Sequence, residues 1–373
     1  MAQQTDAVRL PIRPSLLSDR SVALVHEWFS AFGGSENVFL ALAGLLPHAH
    51  RYVLWAEDDV PAETLGLRES WLAGTPLRRS KALSLPVMPL VWRTLARVDV
   101  DVVLSSSHAF AHTVRLGPPE RTRHLSYVHT PARYVWNPAA DRRGANPLLG
   151  GPRRALRALD VRLGRHVHAF AANSHEVQAR IKRFWHRDAT VVYPPVDVDY
   201  FAAAPAPKQD YLLGFGRWVP YKNFDAVIDA AGLAGLPLVI AGSGPLEARL
   251  RRHAATAGVP VTFEVRPTRE RLRELYWGAR ALLFPADEDF GIIPVEAQAC
   301  ATPVIGLRRG GLLETVVDGE TGFLVEDADP ALLAGAIDRL PELPADRIQR
   351  QARGFSTARF AAEMTAWIDD ATR

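Results

Sequence analysis

Residues 281–296 read A-L-L-F-P-A-D-E-D-F-G-I-I-P-V-E. The apolar run Ala281–Phe284 has the length and composition of a buried strand. Pro294 suits a first helical position, so a helix is expected to begin there. Between strand and helix stand Glu288, Phe290, Gly291, Ile292 and Ile293, with Glu296 in the helix. Backbone N–H groups at a helix mouth can hold an anion, and nearby carboxylates can hold hydroxyls.

The same alternation extends outward from this stretch. Towards the N-terminus of the same half, Tyr211–Phe215, Leu238–Ala241 and Val261–Val265 read as strands, and Lys222–Leu233 reads as a helix. Val304–Gly306 continues the series beyond it. The first half repeats the pattern with strands at Ser21–His26, Tyr52–Trp55, Val102–Ser105, His124–His129, Ala169–Asn173 and Thr190–Tyr193. After the first strand, Gly33-Gly34-Ser35-Glu36 leads into a helix through Leu46, which is the opening of a doubly wound domain. Ser35 is read as its cap. The fold class is therefore α/β, with two doubly wound parallel-sheet domains at residues 1–200 and 201–355. Proline and alanine in Pro194–Gln209 mark an interdomain linker. Residues 356–373 hold an amphipathic helix with Phe360, Met364 and Trp367 on one face.

The chain has 373 residues, 48% hydrophobic and 23% charged, ordinary values for a globular protein of two domains. One cysteine, Cys300, excludes an internal disulfide and a cysteine-rich metal site. Charge is uneven. Residues 1–200 carry 25 Lys+Arg against 18 Asp+Glu, a net of +7, which leaves 19 against 23, a net of −4, for the rest. The basic half suits an anionic partner, either a phosphorylated acceptor or a membrane surface, and no nucleic-acid module signature is present. Leu77–Arg97 and Arg142–Arg165 read either as basic amphipathic surfaces for anionic lipid or as solvated faces with arginine stems over the core. Residues 1–20 read as a flexible leader, and no apolar stretch reaches membrane-spanning length, so a cytoplasmic protein is expected.

Arg217 ends one strand and Lys222 begins the following helix, where both can aim at the crevice in which open α/β sheets bind ligands. Arginine offers bidentate contact to phosphate and lysine a point charge. Taken singly, each site residue also has a plain structural reading. Glu296 would complement a helix dipole, His129 would close a strand, and the paired glycines would form a turn. As an acid/base pair, Glu288 and Glu296 would instead suit a glycoside hydrolase. A third reading is a non-catalytic sugar-nucleotide sensor on the same fold.

Several motifs occur together and in order: Gly214-Phe215-Gly216-Arg217, Lys222, Gly242-Ser243-Gly244-Pro245, Glu288-Asp289-Phe290-Gly291 through Glu296, Thr302-Pro303-Val304-Ile305, Gly310-Gly311 and Asp318-Gly319. With them the chain resembles the retaining GT-B glycosyltransferases of family four, also described as glycosyl transferases group 1. Gly33-Gly34-Ser35-Glu36, His129-Thr130-Pro131 and Pro194-Pro195-Val196-Asp197 resemble the branch that includes bacterial mannosyltransferases. The resemblance implies two Rossmann-like domains facing across a cleft, with the last helix returning to the first domain. It implies a hexosyltransferase of cell-surface glycan assembly that takes a sugar nucleotide and no metal or other cofactor. GDP-mannose is the favoured donor, with a UDP-hexose as the alternative, and a saccharide or lipid-linked acceptor is expected. Arg217 and Lys222 would hold the diphosphate and Glu296 the ribose. Glu288 and the amides of Phe290–Ile293 would meet the donor sugar or phosphates, Gly33 and Gly34 would approach the donor, and His129 would sit beside the transferred sugar. The chain departs from the family pattern at Asn223, where glycine or arginine is often found, and at Phe263–Pro267 and Ala301, where glycine is common.

Overall fold

The computed structural model describes residues 17–30, 33–136, 150–340 and 343–373. The expected leader up to residue 16, the turn residues Ala31 and Phe32, and the arginine-rich segment before Gly150 lie outside the described residues. The chain divides into two compact units, Met1–Pro195 with Ala358–Arg373, and Val196–Thr357.

The first unit is a seven-stranded sheet in which every pairing is parallel. Its strands are β1 (Val22–Phe29), β2 (His50–Ala56), β3 (Leu67–Glu69), β4 (Val102–Ser107), β5 (Arg123–Val128), β6 (Ala169–Ala172) and β7 (Thr190–Val191). The spatial order β3-β2-β1-β4-β5-β6-β7 reverses direction between β1 and β4. Successive side chains leave opposite faces of a strand, and both faces are covered. Leu24, Val53, Leu104 and Tyr127 pack against Phe39 and Leu42 of the helix Gly34–Leu45. Ala23, Val25, Leu54 and Val103 pack on the other side against Met88, Val91 and Trp92. The final helix, Thr357–Thr372, buries Phe360, Met364, Trp367 and Ile368 in the first of these cores.

The second unit is a six-stranded parallel sheet of β8 (Leu212–Arg217), β9 (Leu238–Ser243), β10 (Val261–Val265), β11 (Ala281–Phe284), β12 (Val304–Leu307) and β13 (Gly322–Val325). The order β10-β9-β8-β11-β12-β13 reverses between β8 and β11. Both units are thus doubly wound, as the alternation implied.

Five local expectations are corrected. The linker is not free chain, because Val198–Ala202 forms a helix held in the second unit. There the Phe201 carbonyl accepts from Trp277 Nε1 at 2.8 Å, and Arg269 pairs with Asp197. The boundary therefore falls at Pro195, earlier than residue 200. The helix after β11 begins at Ile292, so Pro294 sits within its first turn, where a missing N–H costs nothing. Ser35 is not a cap, since Gly33 holds that position and the Ser35 hydroxyl donates to Glu36 instead. Lys222 closes a short 3-10 turn, and the following helix spans Phe224–Ala234.

Candidate functional site

In the second unit the site gathers where the strand order reverses. Lys222 is 8% exposed, and its Nζ lies 2.6 Å from Glu288 Oε1 and 4.4 Å from the centre of the Phe284 ring. A Cβ on Gly216 would touch both the Lys222 side chain and Ile293 Cδ1, so the end of β8, Lys222 and the mouth of the next helix are neighbours. Asn223 Nδ2 donates to the Pro285 carbonyl at 2.7 Å and ties the two loops together. Arg217 is exposed at the end of β8, and its side chain makes no hydrogen bond or ion pair among the described residues.

The 285–291 loop is held by Gly310 and Gly311. The Gly311 N–H donates to the Glu288 carbonyl at 2.8 Å. A Cβ on Gly310 would strike that carbonyl, and one on Gly311 would strike the Phe290 backbone. Gly291 turns the chain into the helix at φ 98°, a conformation that glycine adopts without strain. Phe290 is buried edge-on against Phe355, so its side chain anchors the loop. Among the described residues no side chain caps the helix Ile292–Ala299, so Ile292 and Ile293 present first-turn N–H groups.

Glu296 lies further along this helix, on the same side as Ile293. It is half-buried and accepts from the Tyr276 hydroxyl at 3.0 Å. Burial pushes its pKa up to about 7, against the opposing effect of the Tyr276 hydrogen bond and Arg269. Glu288 and Glu296 therefore have different partners, one a lysine and the other a phenol. They do not form an equivalent acid/base pair.

The first unit carries a second polar cluster at its own reversal point, between the carboxyl ends of β1, β4 and β5. His129 follows β5, and its Nε2 lies 2.8 Å from Ser106 Oγ. That hydroxyl is also 3.1 Å from His26 Nδ1. His26 is fully buried against Phe39 and His108. Burial lowers its pKa to about 4, and burial also holds His129 well below the usual imidazole range. Gly33 and Gly34 enter the helix beside this cluster, and a Cβ on Gly33 would overlap the Glu36 carboxylate. That carboxylate takes the Ser30 and Ser35 hydroxyls. Burial would raise the pKa of Glu36, but His26 and these hydroxyls together hold it below the ordinary value.

Among the described residues, His26, Glu27 and His108 have the spacing of metal ligands. The Glu27 oxygens are already occupied. Oε1 accepts from Ala109 N, Ala111 N and Ser107 Oγ at 2.8, 2.7 and 3.2 Å, and Oε2 from His108 N at 3.1 Å. Glu27 therefore serves to fix the loop after β4. His112 is structural too, packed at a tilt against Trp185 and paired with the buried Asp160 at 3.0 Å.

Sequence reasoning gave no site role to His26, Ser106, Glu36 or Tyr276. The signal for the first two was a polar residue at the end of an apolar strand, in V-A-L-V-H-E and V-V-L-S-S-S-H. Tyr276 gave no signal, because an aromatic in a helix reads as core.

Two family profiles match the chain. "Glycosyl transferases group 1" covers residues 198–355, and "Glycosyltransferase Family 4" covers residues 32–200. A D-inositol 3-phosphate glycosyltransferase of Acidothermus cellulolyticus is 40% identical over 158 residues, covering 37% of this chain and 35% of that protein. The Mycobacterium bovis enzyme of the same name is 36% identical over 198 residues, covering 47% and 41%. The matched part thus spans well under half the length of these relatives. Among solved structures, Anabaena HepE in complex with UDP has a TM-score of 0.71 at 17% identity, covering 93% of this chain and 100% of that one. Sucrose-phosphate synthase from Thermosynechococcus elongatus has a TM-score of 0.71 at 18% identity, covering 93% and 98%. These likenesses establish the two-domain GT-B type of fold.

Proposed function

The chain belongs to the group 1 glycosyltransferases of family four, and from that premise we propose that it moves a hexose from a nucleoside diphosphate sugar to a saccharide or lipid-linked acceptor, with retention and without a metal. The observation that carries this reading is the Lys222–Glu288 pair beside the open amides of Ile292 and Ile293, at the switch point between β8 and β11. A diphosphate arriving there would take Lys222 from Glu288 and draw Arg217 onto its oxygens. Glu288, once released, accepts hydrogen bonds from the donor sugar, and Glu296 accepts them from the ribose. Cations and helix amides already in place stabilise the charge that grows on the departing phosphate. In the proposed step the bond from the sugar C1 to the phosphate oxygen breaks. The bond from C1 to the acceptor oxygen forms on the same face, and the acceptor proton passes to the leaving phosphate. His129 is assigned a hydrogen bond to the transferred sugar.

Mannose from GDP-mannose remains our first donor, on the motif resemblance. HepE was also solved with UDP-glucose, which favours a UDP-hexose as the second reading. A thermal-shift panel of GDP, UDP, ADP and their sugars decides between them, because specific binding stabilises by mass action. Lys222→Ala and Arg217→Ala should each weaken diphosphate binding about 10- to 100-fold in calorimetry, the worth of a charge-assisted hydrogen bond. Unchanged affinity would remove them from the site.

Among the described residues no helix is long and apolar enough to cross a membrane. We propose that the chain meets an anionic lipid surface through Leu77–Arg97. There Leu83 and Leu90 are 66% and 58% exposed among Arg79, Lys81 and Arg93. Liposome co-sedimentation should rise with anionic lipid and fall with salt. Binding indifferent to both would sink this proposal.

A further inference from the structure

Ser106 lies next to the end of the fully buried strand β4 and stands between two histidines. His26 Nδ1 lies 3.1 Å from the Ser106 carbonyl oxygen and 3.1 Å from its hydroxyl. A carbonyl oxygen can only accept, so His26 carries its proton on Nδ1. The Ser106 hydroxyl therefore faces a donor on that side and accepts from it. Its one proton is left for the other neighbour, His129 Nε2, at 2.8 Å. A ring nitrogen that accepts a hydrogen bond is unprotonated. Burial, with His108 and His26 adding to it, keeps the His129 ring neutral. Its single proton then sits on Nδ1.

We propose that Ser106, oriented by His26, fixes His129 as the Nδ1–H tautomer, so that His129 is a hydrogen-bond donor and not a proton acceptor. The Nδ1 atom has no hydrogen-bond partner among the described residues, so this donor is available to a ligand. That the ligand oxygen belongs to the transferred sugar rests on the function proposed above. The assignment bears on the route of the acceptor proton. With Nε2 occupied by Ser106 and Nδ1 already protonated, His129 is not placed to receive it, in keeping with the transfer to the leaving phosphate proposed above. Ser106 and His26 are positioning residues, and they act only through His129.

The test uses the full chain with nitrogen-15 in its histidine rings and two-bond proton–nitrogen correlations, with His129 assigned by the signal lost in His129→Asn. The expected result is a protonated Nδ1 and a bare Nε2. Ser106→Ala should move the His129 signal towards the Nε2–H form and lower kcat about tenfold with little change in donor KM. Ser106→Thr, which keeps the hydroxyl, should restore both. An Nε2–H ring in the unaltered chain, or a tautomer unchanged in Ser106→Ala, would overturn the proposal whatever the activities. The sugar contact is read separately. Full transfer by His129→Ala would overturn that contact and leave the tautomer result standing.

Discussion

Glu296, proposed above to meet the donor ribose, shows how a buried carboxylate costs the fold that holds it. Burial raises its pKa from an ordinary 4.5 to about 7. Between those values the unfolded chain releases the proton and the folded one keeps it, so stability falls as pH rises from 4.5 to about 7 and stays reduced above that. Glu296→Gln removes the charge and keeps the shape. At pH 8 it should raise the stability of the second unit by about 1–2 kcal/mol, read from denaturant unfolding. The same variant should bind nucleotide less well, because an amide is a weaker acceptor for ribose hydroxyls than a carboxylate. A variant no more stable than the parent would mean that Glu296 is already well solvated. Glu288, Lys222 and Glu296 were visible in the sequence because they stand at fixed distances from glycines and strand ends. His26 and Ser106 were not, because their partnership crosses from β1 to β4 to β5. Which strands are neighbours depends on strand order, and apolar periodicity does not carry that information.

Among the elements, the places where this chain departs from its family fall on unusual backbone. Ala301, Asn223 and Arg266 have φ of 54°, 53° and 49°, all in the left-handed region. The turns keep the geometry that glycine would adopt freely, while the residues there carry side chains. Asn223 gains from it through its bond to the Pro285 carbonyl. Ala301 has only a methyl group to offer, so it carries the strain of about 1–2 kcal/mol without such a return. Ala301→Gly relieves that strain at the expense of greater freedom in the unfolded chain. A net gain of about 0.5–1 kcal/mol is expected in thermal or denaturant unfolding. A loss would mean that packing of the methyl outweighs the backbone term. The element series itself was legible from apolar runs, apart from β3 and β13. Leu67–Glu69 is a short, half-exposed edge strand with no alternation to read, and Gly322–Val325 is an apolar run too brief to separate from a buried loop.

At the scale of the molecule, the two units answer acid in opposite senses. In the first, burial lowers the pKa of His26 and of His166 to about 4. The unfolded chain takes up those protons below about 6.5 while the folded one does not, so stability is lost as pH falls from 6.5 towards 4. At pH 5.5 these two rings together cost about 3 kcal/mol, at about 1.4 kcal/mol per unit each. Over the same interval the second unit gains about 1–2 kcal/mol from Glu296. Calorimetry at pH 7.5 and 5.5 should therefore show the two transitions moving relative to one another, with the first unit's falling. Transitions that shift together would count against the histidine account.

The helix Thr357–Thr372 completes the core of the first unit, although the whole second unit precedes it in the chain. On the ribosome the first sheet must then wait with the bed for Phe360, Met364 and Trp367 uncovered. At about 5–20 residues per second, synthesis of the intervening unit lasts on the order of ten to thirty seconds. During that interval an apolar groove stands open on a nascent chain, and a chaperone has time to find it. The helix that closes the first unit is made only after the second unit.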